Sequence, residues 1–240
     1  MNTLSGKQRL YLAFETIAIA AGLVGMMAIG LLSHGWSWLP QLPIFGASWL
    51  LIAYMLGVVA WLRFRGESLA DYGLFAPASW PRAVGVAVSL LILMYAYMWL
   101  INPYLLAWLK PWIGSGVNLT RFDSLKGNRM LFLEILPMVW LSAAFTEEML
   151  FRGFLFNRLL MILGRGPLPF AIAALIQAAL FSLGHLYQGW PGVVEIAAIS
   201  LFLLAASRVL KGNLWPAILM HGLIDSISLA ILTFGGHLKP

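Results

Sequence analysis

Seven apolar stretches of 20 or more residues dominate this chain of 240 residues. The hydrocarbon core of a bilayer is about 30 Å thick, and an α-helix needs roughly 20 apolar residues to cross it. Helices and closed barrels are the only structures that span a bilayer, and the stretches lack the alternating pattern of barrel strands. The sequence therefore predicts an all-α bundle of about seven spanning helices in one integral membrane domain, over residues 10–33, 42–62, 83–109, 131–163, 168–187, 191–210 and 213–234 of the full 1–240.

The composition excludes a soluble protein and several kinds of chemistry. Hydrophobic residues make up 61% of the chain and charged residues 10%, against about 45–50% and about 25% in soluble domains. The absence of cysteine rules out disulfides, thiolate catalysis and cysteine-bound metals. The net charge is +6, but the basic residues lie between apolar stretches. We therefore interpret them as topology signals and lipid contacts, with no nucleic-acid partner.

Basic residues also suggest an orientation and a location. With the N-terminus inside, the inner connections hold ten lysines and arginines and the outer ones five, which favours that topology. The connection at 110–130, with four of the outer five, argues against it. An uncleaved first span and short connections are typical of a protein of the bacterial inner membrane.

Three ionisable residues lie close together in the fourth stretch. Insertion of one charged residue at the centre of a span costs about 2.5–3.5 kcal/mol, so Glu147, Glu148 and Arg152 should be paired or face water. Glu148 and Arg152 are four residues apart, which predicts an ion pair on one helical face. Glu147 lies about 140° around an α-helix from Arg152, at ~100° per residue, and has no partner on its own helix. A helix end at the membrane interface, where the same groups meet water, is the alternative.

Two histidines in other stretches complete a candidate site. His185 follows Phe181 near the end of the fifth stretch, and the seventh carries His221 and Asp225 four residues apart. Because polar groups in a membrane usually face the interior of the bundle, we expect Glu147, His185, His221 and Asp225 to line one cavity. A packing or interfacial role is the alternative for a histidine on an apolar helix, and it fits His34 and His237 in flanking segments.

These residue types are compatible with several reactions. A carboxylate beside an imidazole can deprotonate water, two histidines and a glutamate match a catalytic zinc site, and a histidine can stabilise an oxyanion. All three fit hydrolysis of an acyl bond, but a proton relay in a transporter uses the same groups. The chain has no Gly-x-Ser-x-Gly, no His-Glu-x-x-His, no phosphate-binding loop and no Asp-rich diphosphate motif.

The three motifs, taken in order, resemble the CPBP family of intramembrane proteases. This family includes C-a-a-X prenyl endopeptidases and bacteriocin-processing and self-immunity proteins. The motifs are Glu147-Glu148-x-x-x-Arg152, Phe181-x-x-x-His185 and His221-x-x-x-Asp225, and the similarity covers about residues 130–232. The resemblance implies an endopeptidase that cleaves a membrane-associated, prenylated or unprenylated, protein or peptide. It leaves open a divalent metal such as zinc.

The same resemblance implies a role for each residue. Glu147 and His185 would activate the attacking water, His221 and Asp225 would stabilise the oxyanion, and Glu148 and Arg152 would support the site through their ion pair. Many members carry Asn at the position of Asp225. A carboxylate is a poor oxyanion donor unless it is protonated, so Asp225 is alternatively expected to orient His221.

The alternative hypothesis is a non-catalytic membrane protein, such as a proton-coupled transporter or an immunity or scaffold factor. Glu15, Glu134 and Glu195 would then be further intramembrane acids, although all three lie near the ends of stretches.

A shared active site requires the three motifs to lie at similar depths in the membrane. Glu147 and His185 are each about 18 residues from the turn at 164–168, whereas His221 is about 9 from the turn at 211–213. Similar depths require the first turn to lie outside the bilayer, or a tilted or broken helix.

Overall fold

A computed structural model describes residues 5–32 and 44–235, and within these ranges the chain is helical with no strand. The α-helices are α1 Gly6–Leu32, α2 Ile44–Phe64, α3 Trp80–Leu100, α4 Asn102–Ile113, α5 Arg129–Val139, α6 Phe156–Leu163, α7 Pro167–Leu183, α8 Gly189–Val209 and α9 Trp215–Phe234. A π-helix, Trp140–Leu155, joins α5 to α6. Short 3₁₀ helices occupy Leu69–Tyr72, Thr120–Leu125 and Leu186–Gln188.

The predicted all-α membrane bundle is confirmed. Within the described ranges, five helical segments are long and apolar enough to cross a membrane: Gly6–Ala28, Trp80–Leu100, Arg129–Leu163, Leu186–Val209 and Trp215–Phe234. Ser48–Phe64 and Pro167–Leu183 are apolar but shorter. These seven segments correspond to the seven predicted stretches. Large exposed apolar side chains such as Phe14, Trp99 and Ile231 suit a surface that faces lipid.

The third stretch is two helices rather than one. Residues 83–109 were expected to form one spanning helix, but α3 ends at Leu100 and α4 begins at Asn102. Ile101 between them has φ −119° and ψ −47°. Pro103 lies in the first turn of α4, where its missing N–H costs no hydrogen bond and its fixed φ suits the helix. The proline therefore lies at the start of a new helix, and the third stretch is broken at Ile101.

The fourth stretch contains the largest departure from the predicted geometry. Its central 16 residues form a π-helix, in which hydrogen bonds join residues five apart, and such turns are frequent at functional sites. Thr146 adds a hydrogen bond from its hydroxyl to the carbonyl of Leu141, also five residues back, at 2.8 Å. The predicted angle of about 140° between Glu147 and Arg152 is wrong, because it assumed the period of an α-helix.

The π-helix is the centre of the bundle. It packs against α2, α5, α7 and α9, and its buried side chains Met149, Phe151 and Phe154 share a core cluster with Leu62 of α2. A second cluster joins α3, α8 and α9 through Met94, Leu203 and Met220, among others. The acidic motif therefore lies on the most enclosed helix described.

The two turns at 164–168 and 210–214 lie at different positions along the bundle. Gly153 of the π-helix lies against Leu214, just before α9, and Arg208 near the end of α8 donates to the side chain of Asn157 at 3.2 Å. The rest of α6 therefore extends beyond the 210–214 turn, by about 9 Å for six residues at 1.5 Å each. The turn at 164–168 therefore lies farther from the motifs along the bundle axis than the turn at 210–214. This is the arrangement that lets Glu147, His185 and His221 lie at similar depths.

An ion network centred on the buried Arg158 ties α1 to α6, away from the three sequence motifs. Arg158, 2% exposed, donates to Glu67 at 2.7 Å and lies 3.5 Å from Glu15. Arg65 is 3.8 Å from Glu15, and the indole N–H of Trp61 donates a hydrogen bond to the carboxylate of Glu15. Glu15 is thus the centre of a structural ion network.

We predict that Gly222→Ala destabilises the bundle. A Cβ at Gly222 would lie 2.5 Å from the ring of Trp140, where α9 meets the π-helix. Overpacking of this kind typically costs about 1–3 kcal/mol. Gly85→Ala on α3, where a Cβ meets nothing within 4 Å, is the control and should be neutral or stabilising. Thermal unfolding in detergent followed by circular dichroism measures both, and equal midpoints would contradict the prediction.

Candidate active site

One cavity of about 670 Å³ brings together polar residues from each of the three motifs. Its wall includes Glu147 of the π-helix, His185 after α7, and His221 and Asp225 of α9. Apolar side chains such as Met98 of α3 line other parts of the wall. The expected juxtaposition of four residues distant in sequence is therefore present in the structure, and the cavity has room for water and a segment of peptide.

Glu148 links the acidic motif to the second histidine. Its carboxylate oxygen Oε1 accepts a hydrogen bond from Nη1 of Arg152 and another from Nδ1 of His221, both at 2.8 Å. Glu148 and Arg152 are 0% exposed, and His221 is 5% exposed. The i,i+4 pair expected from the sequence is therefore formed in the bundle interior, and the contact of Glu148 with His221 is an addition that the sequence did not predict.

Arg152 is held by groups from two other helices. Its Nη2 donates to the hydroxyl of Ser200 at 2.7 Å, and its guanidinium lies 4.1 Å from the centre of the Phe181 ring. The hydroxyl of Ser200 in turn donates to Gln177 at 3.4 Å. These contacts fix the charged pair by hydrogen bonds and a cation–π contact, as a buried charge requires.

Asp225 makes a looser contact with His221. Its Oδ2 is 3.6 Å from Nε2 of the imidazole, which is beyond the range of a hydrogen bond. The other ring nitrogen, Nδ1, is already held by Glu148. The ring orientation is therefore accounted for without Asp225, and Nε2 remains available on the cavity side.

His185 does not lie on a helix. The fifth stretch, 168–187, was expected to be helical throughout, but α7 ends at Leu183 and His185 precedes the 3₁₀ helix Leu186–Gln188. Gly184 and Gly189 flank this turn, and Gly189 has φ +78°, which favours glycine. The carbonyl of Phe181 can only accept, so Nδ1 of His185 donates to it, at 3.0 Å. A neutral His185 then presents Nε2 as an acceptor.

Glu147 has the least satisfied carboxylate of the motif. Its Oε2 is buried and accepts no hydrogen bond within the described ranges. The residue is half-buried and lines the cavity. A carboxylate oxygen in this state needs a hydrogen-bond donor, and a water molecule or a substrate N–H in the cavity would supply one.

The described residues do not offer a ligand set for a metal ion. Among residues 5–32 and 44–235, no group of three or more His, Asp and Glu side chains is arranged to hold a metal ion. The nitrogen Nδ1 of His221 is engaged by Glu148, and that of His185 by a backbone carbonyl. The divalent metal that the resemblance leaves open thus finds no matching ligand set in the described part of the chain. His34 and His237 lie outside the described residues.

Several supporting residues were missed from the sequence. Gln177 is the one strongly polar residue in the interior of the α7 sequence and is 0% exposed, so a polar group in an apolar stretch was an available signal. Ser200 had no such signal, because serine is common in membrane helices. Asn102 is also buried, and its amide donates to Glu195 at 3.0 Å on the cavity wall.

One comparison with known proteins matches the part of the chain that carries the three motifs. Residues 129–227 match the family model described as Type II CAAX prenyl endopeptidase Rce1-like. This match confirms the resemblance to the CPBP family and, at the level of the family, supports an intramembrane endopeptidase with a protein or peptide substrate. No curated protein matches the chain, and no solved structure matches it. The matched residues run from the start of α5 into α9 and include all three motifs.

Proposed function

We propose that this membrane protein with an Rce1-like segment at residues 129–227 is an endopeptidase that hydrolyses a peptide bond of a membrane-associated substrate, including prenylated C-a-a-X tails. The observation that carries the proposal is the common cavity of Glu147, His185, His221 and Asp225, with His221 anchored on the Glu148–Arg152 pair. The bacterial inner membrane is the proposed location.

In the proposed reaction, a water molecule binds between Glu147 and Nε2 of His185. Glu147 takes a proton from this water as the oxygen attacks the carbonyl carbon of the substrate, and it later delivers the proton to the leaving amine. Nε2 of His185 is free to hold the water because Nδ1 is bound to the carbonyl of Phe181. No metal enters this sequence of steps.

His221 is proposed to stabilise the oxyanion that forms on the substrate. Donation from Nε2 while Nδ1 donates to Glu148 requires a proton on both ring nitrogens. The carboxylate of Glu148, 2.8 Å from Nδ1, balances that positive charge. Preorganised donors in an enclosed site are an effective means of stabilising such charge.

The apolar part of the wall suits a substrate that carries a lipid or an apolar side chain. Met94 and Met98 of α3 and Ile224 and Leu229 of α9 line the cavity. Flexible methionine side chains adapt to irregular apolar ligands. An isoprenoid chain would therefore bury apolar surface here while its peptide reaches the polar residues.

The acids that favoured a transporter have other partners in the structure. Glu15 is paired with arginines, and Glu195 accepts from Asn102. Glu134 is exposed on α5, which fits the interfacial position that its place near the start of the stretch indicates. These contacts favour the proposed hydrolase over a chain of proton-carrying acids.

A peptide panel tests the proposed function. Purified protein in liposomes is incubated with a farnesylated C-a-a-X peptide and with unprenylated membrane peptides, and the products are identified by mass spectrometry. We expect one defined cut in at least the farnesylated peptide. Absence of cleavage in the whole panel by folded protein would favour the non-catalytic alternative.

Substitution of Asp225 separates its two candidate roles. Because Glu148 already orients His221, we expect Asp225→Asn to keep kcat within about threefold of the wild type or to raise it, since an amide N–H can donate to an oxyanion. Asp225→Leu should lower kcat by at least about tenfold. A loss in Asp225→Asn as large as that in Asp225→Leu would instead assign the role to the negative charge.

A further inference from the structure

Arg121 is a cation on the cavity wall that the proposed reaction does not use. It is half-buried in the 3₁₀ helix Thr120–Leu125 and lines the cavity. The acidic residues on the wall of the same cavity are Glu147, Glu195 and Asp225. Arg121 forms no salt bridge with any acid in the described ranges, so its charge is available to a ligand. Guanidinium groups favour planar two-oxygen anions, which they bind with two parallel hydrogen bonds.

The guanidinium of Arg121 is held in place by the segment that follows His185. It lies 4.8 Å from the centre of the Tyr187 ring, and Phe122 contacts the same ring edge-on at 6.3 Å. The backbone N–H of Asn118 donates to the carbonyl of Gln188 at 2.9 Å. The connection that carries Arg121 is therefore docked on the 3₁₀ helix Leu186–Gln188, which limits the positions open to the arginine.

The same contacts bound the distance from Arg121 to the proposed reaction centre. The ring of Tyr187 is 5.9 Å from that of His185, and the guanidinium is 4.8 Å from Tyr187. The sum of these two distances is an upper limit for the separation of Arg121 from His185. An extended peptide advances roughly 3.3–3.6 Å per residue, so at most about three residues fit between the two groups.

We infer that Arg121 binds the C-terminal carboxylate of the substrate and thereby makes efficient cleavage depend on a free chain end. The inference rests on the proposed endopeptidase function and deepens it. Glu147, Glu195 and Asp225 on the cavity wall would repel a carboxylate, and Arg121 is a cation that would attract it and that the proposed reaction leaves unused. A peptide C-terminus and an acidic side chain offer the same chemical group, and the experiment distinguishes them.

The test compares three forms of one peptide that the wild-type protein cleaves. The first has a free C-terminal carboxylate, the second a C-terminal amide, and the third a C-terminal amide with an aspartate as its last residue. We expect wild-type kcat/KM to be at least about tenfold higher for the free acid than for the amide, which is the effect of a hydrogen bond to a charged group. In Arg121→Gln the free acid should fall to the level of the amide, and the amide should be unchanged.

Lys126→Gln is the matched control. Lys126 lies just after the same 3₁₀ helix, its side chain is 65% exposed, and it pairs with Asp123 at 2.7 Å. Its substitution removes the same charge from the same connection but outside the cavity wall, so the preference for the free acid should persist. If the wild type cleaves the aspartate peptide as well as the free acid, Arg121 accepts a side-chain carboxylate, and the inference that it binds the chain end is wrong.

Two further results would overturn the inference in different ways. Equal cleavage of acid and amide by the wild type, or an equal loss for both in Arg121→Gln, would contradict the role of Arg121 and leave the endopeptidase proposal intact. Failure of the folded wild type to cleave any peptide would contradict both.

Discussion

Arg152→Met is expected to lower the free energy of unfolding by about 3–5 kcal/mol, the usual cost of removing one partner of a buried ion pair. The substitution leaves the carboxylate of Glu148 fully buried with only the imidazole of His221 beside it. It also removes the donor to Ser200 and the cation–π contact with Phe181. The effect is measured by unfolding in mixed detergent micelles with increasing sodium dodecyl sulfate.

Two further variants make this prediction specific to the buried pair. Arg82→Met removes an exposed arginine from α3 and should change stability by no more than about 0.5 kcal/mol. The double variant Arg152→Met/Glu148→Gln removes the uncompensated charge and should recover part of the loss. A loss in Arg152→Met no larger than that in Arg82→Met would show that the pair does not support the bundle.

Glu147→Gln and His185→Ala are each expected to reduce kcat by about 10²–10⁴-fold, the typical contribution of general acid–base catalysis. Glutamine keeps the shape of Glu147 but cannot take a proton from water. His185→Ala removes the nitrogen that holds the same water. Because both groups act on one water molecule, the double variant should be about as slow as the slower single variant.

The controls separate chemistry from folding. Both single variants should retain the thermal midpoint of the wild type to within a few degrees. The oxygen Oε2 of Glu147 makes no hydrogen bond in the described ranges, and the side chain of His185 donates to a backbone carbonyl of α7 and lies against the rings of Phe181 and Tyr187. Multiplicative losses in the double variant would instead assign Glu147 and His185 to independent steps.

The sequence was informative where local spacing and the cost of burial decide the outcome. The Glu148–Arg152 pair follows from a four-residue separation, which brings side chains together in both the α-helix and the π-helix. The placement of His221 and Glu147 on one cavity follows from the cost of exposing polar groups to lipid. Neither argument needs knowledge of how the helices cross.

Features that depend on packing between helices were not predictable in this way. The π-helix changes the angular positions of Glu147 and Arg152, and an apolar pattern does not reveal which hydrogen-bond register a helix adopts. The same is true of the contact between Glu148 and His221, which are 73 positions apart. The end of α7 before His185 was obscured because apolar residues continue across Gly184.

The proposal that water activated by Glu147 breaks a peptide bond is tested most directly by isotope incorporation. Wild-type protein and Glu147→Gln, each in liposomes and in excess over a cleavable peptide, are incubated in ¹⁸O-labelled water, and the product with the new C-terminus is analysed by mass spectrometry. The account predicts one ¹⁸O atom in the new carboxylate with the wild type and no product over the same period with Glu147→Gln. Labelled product formed at equal rates by both proteins would contradict it.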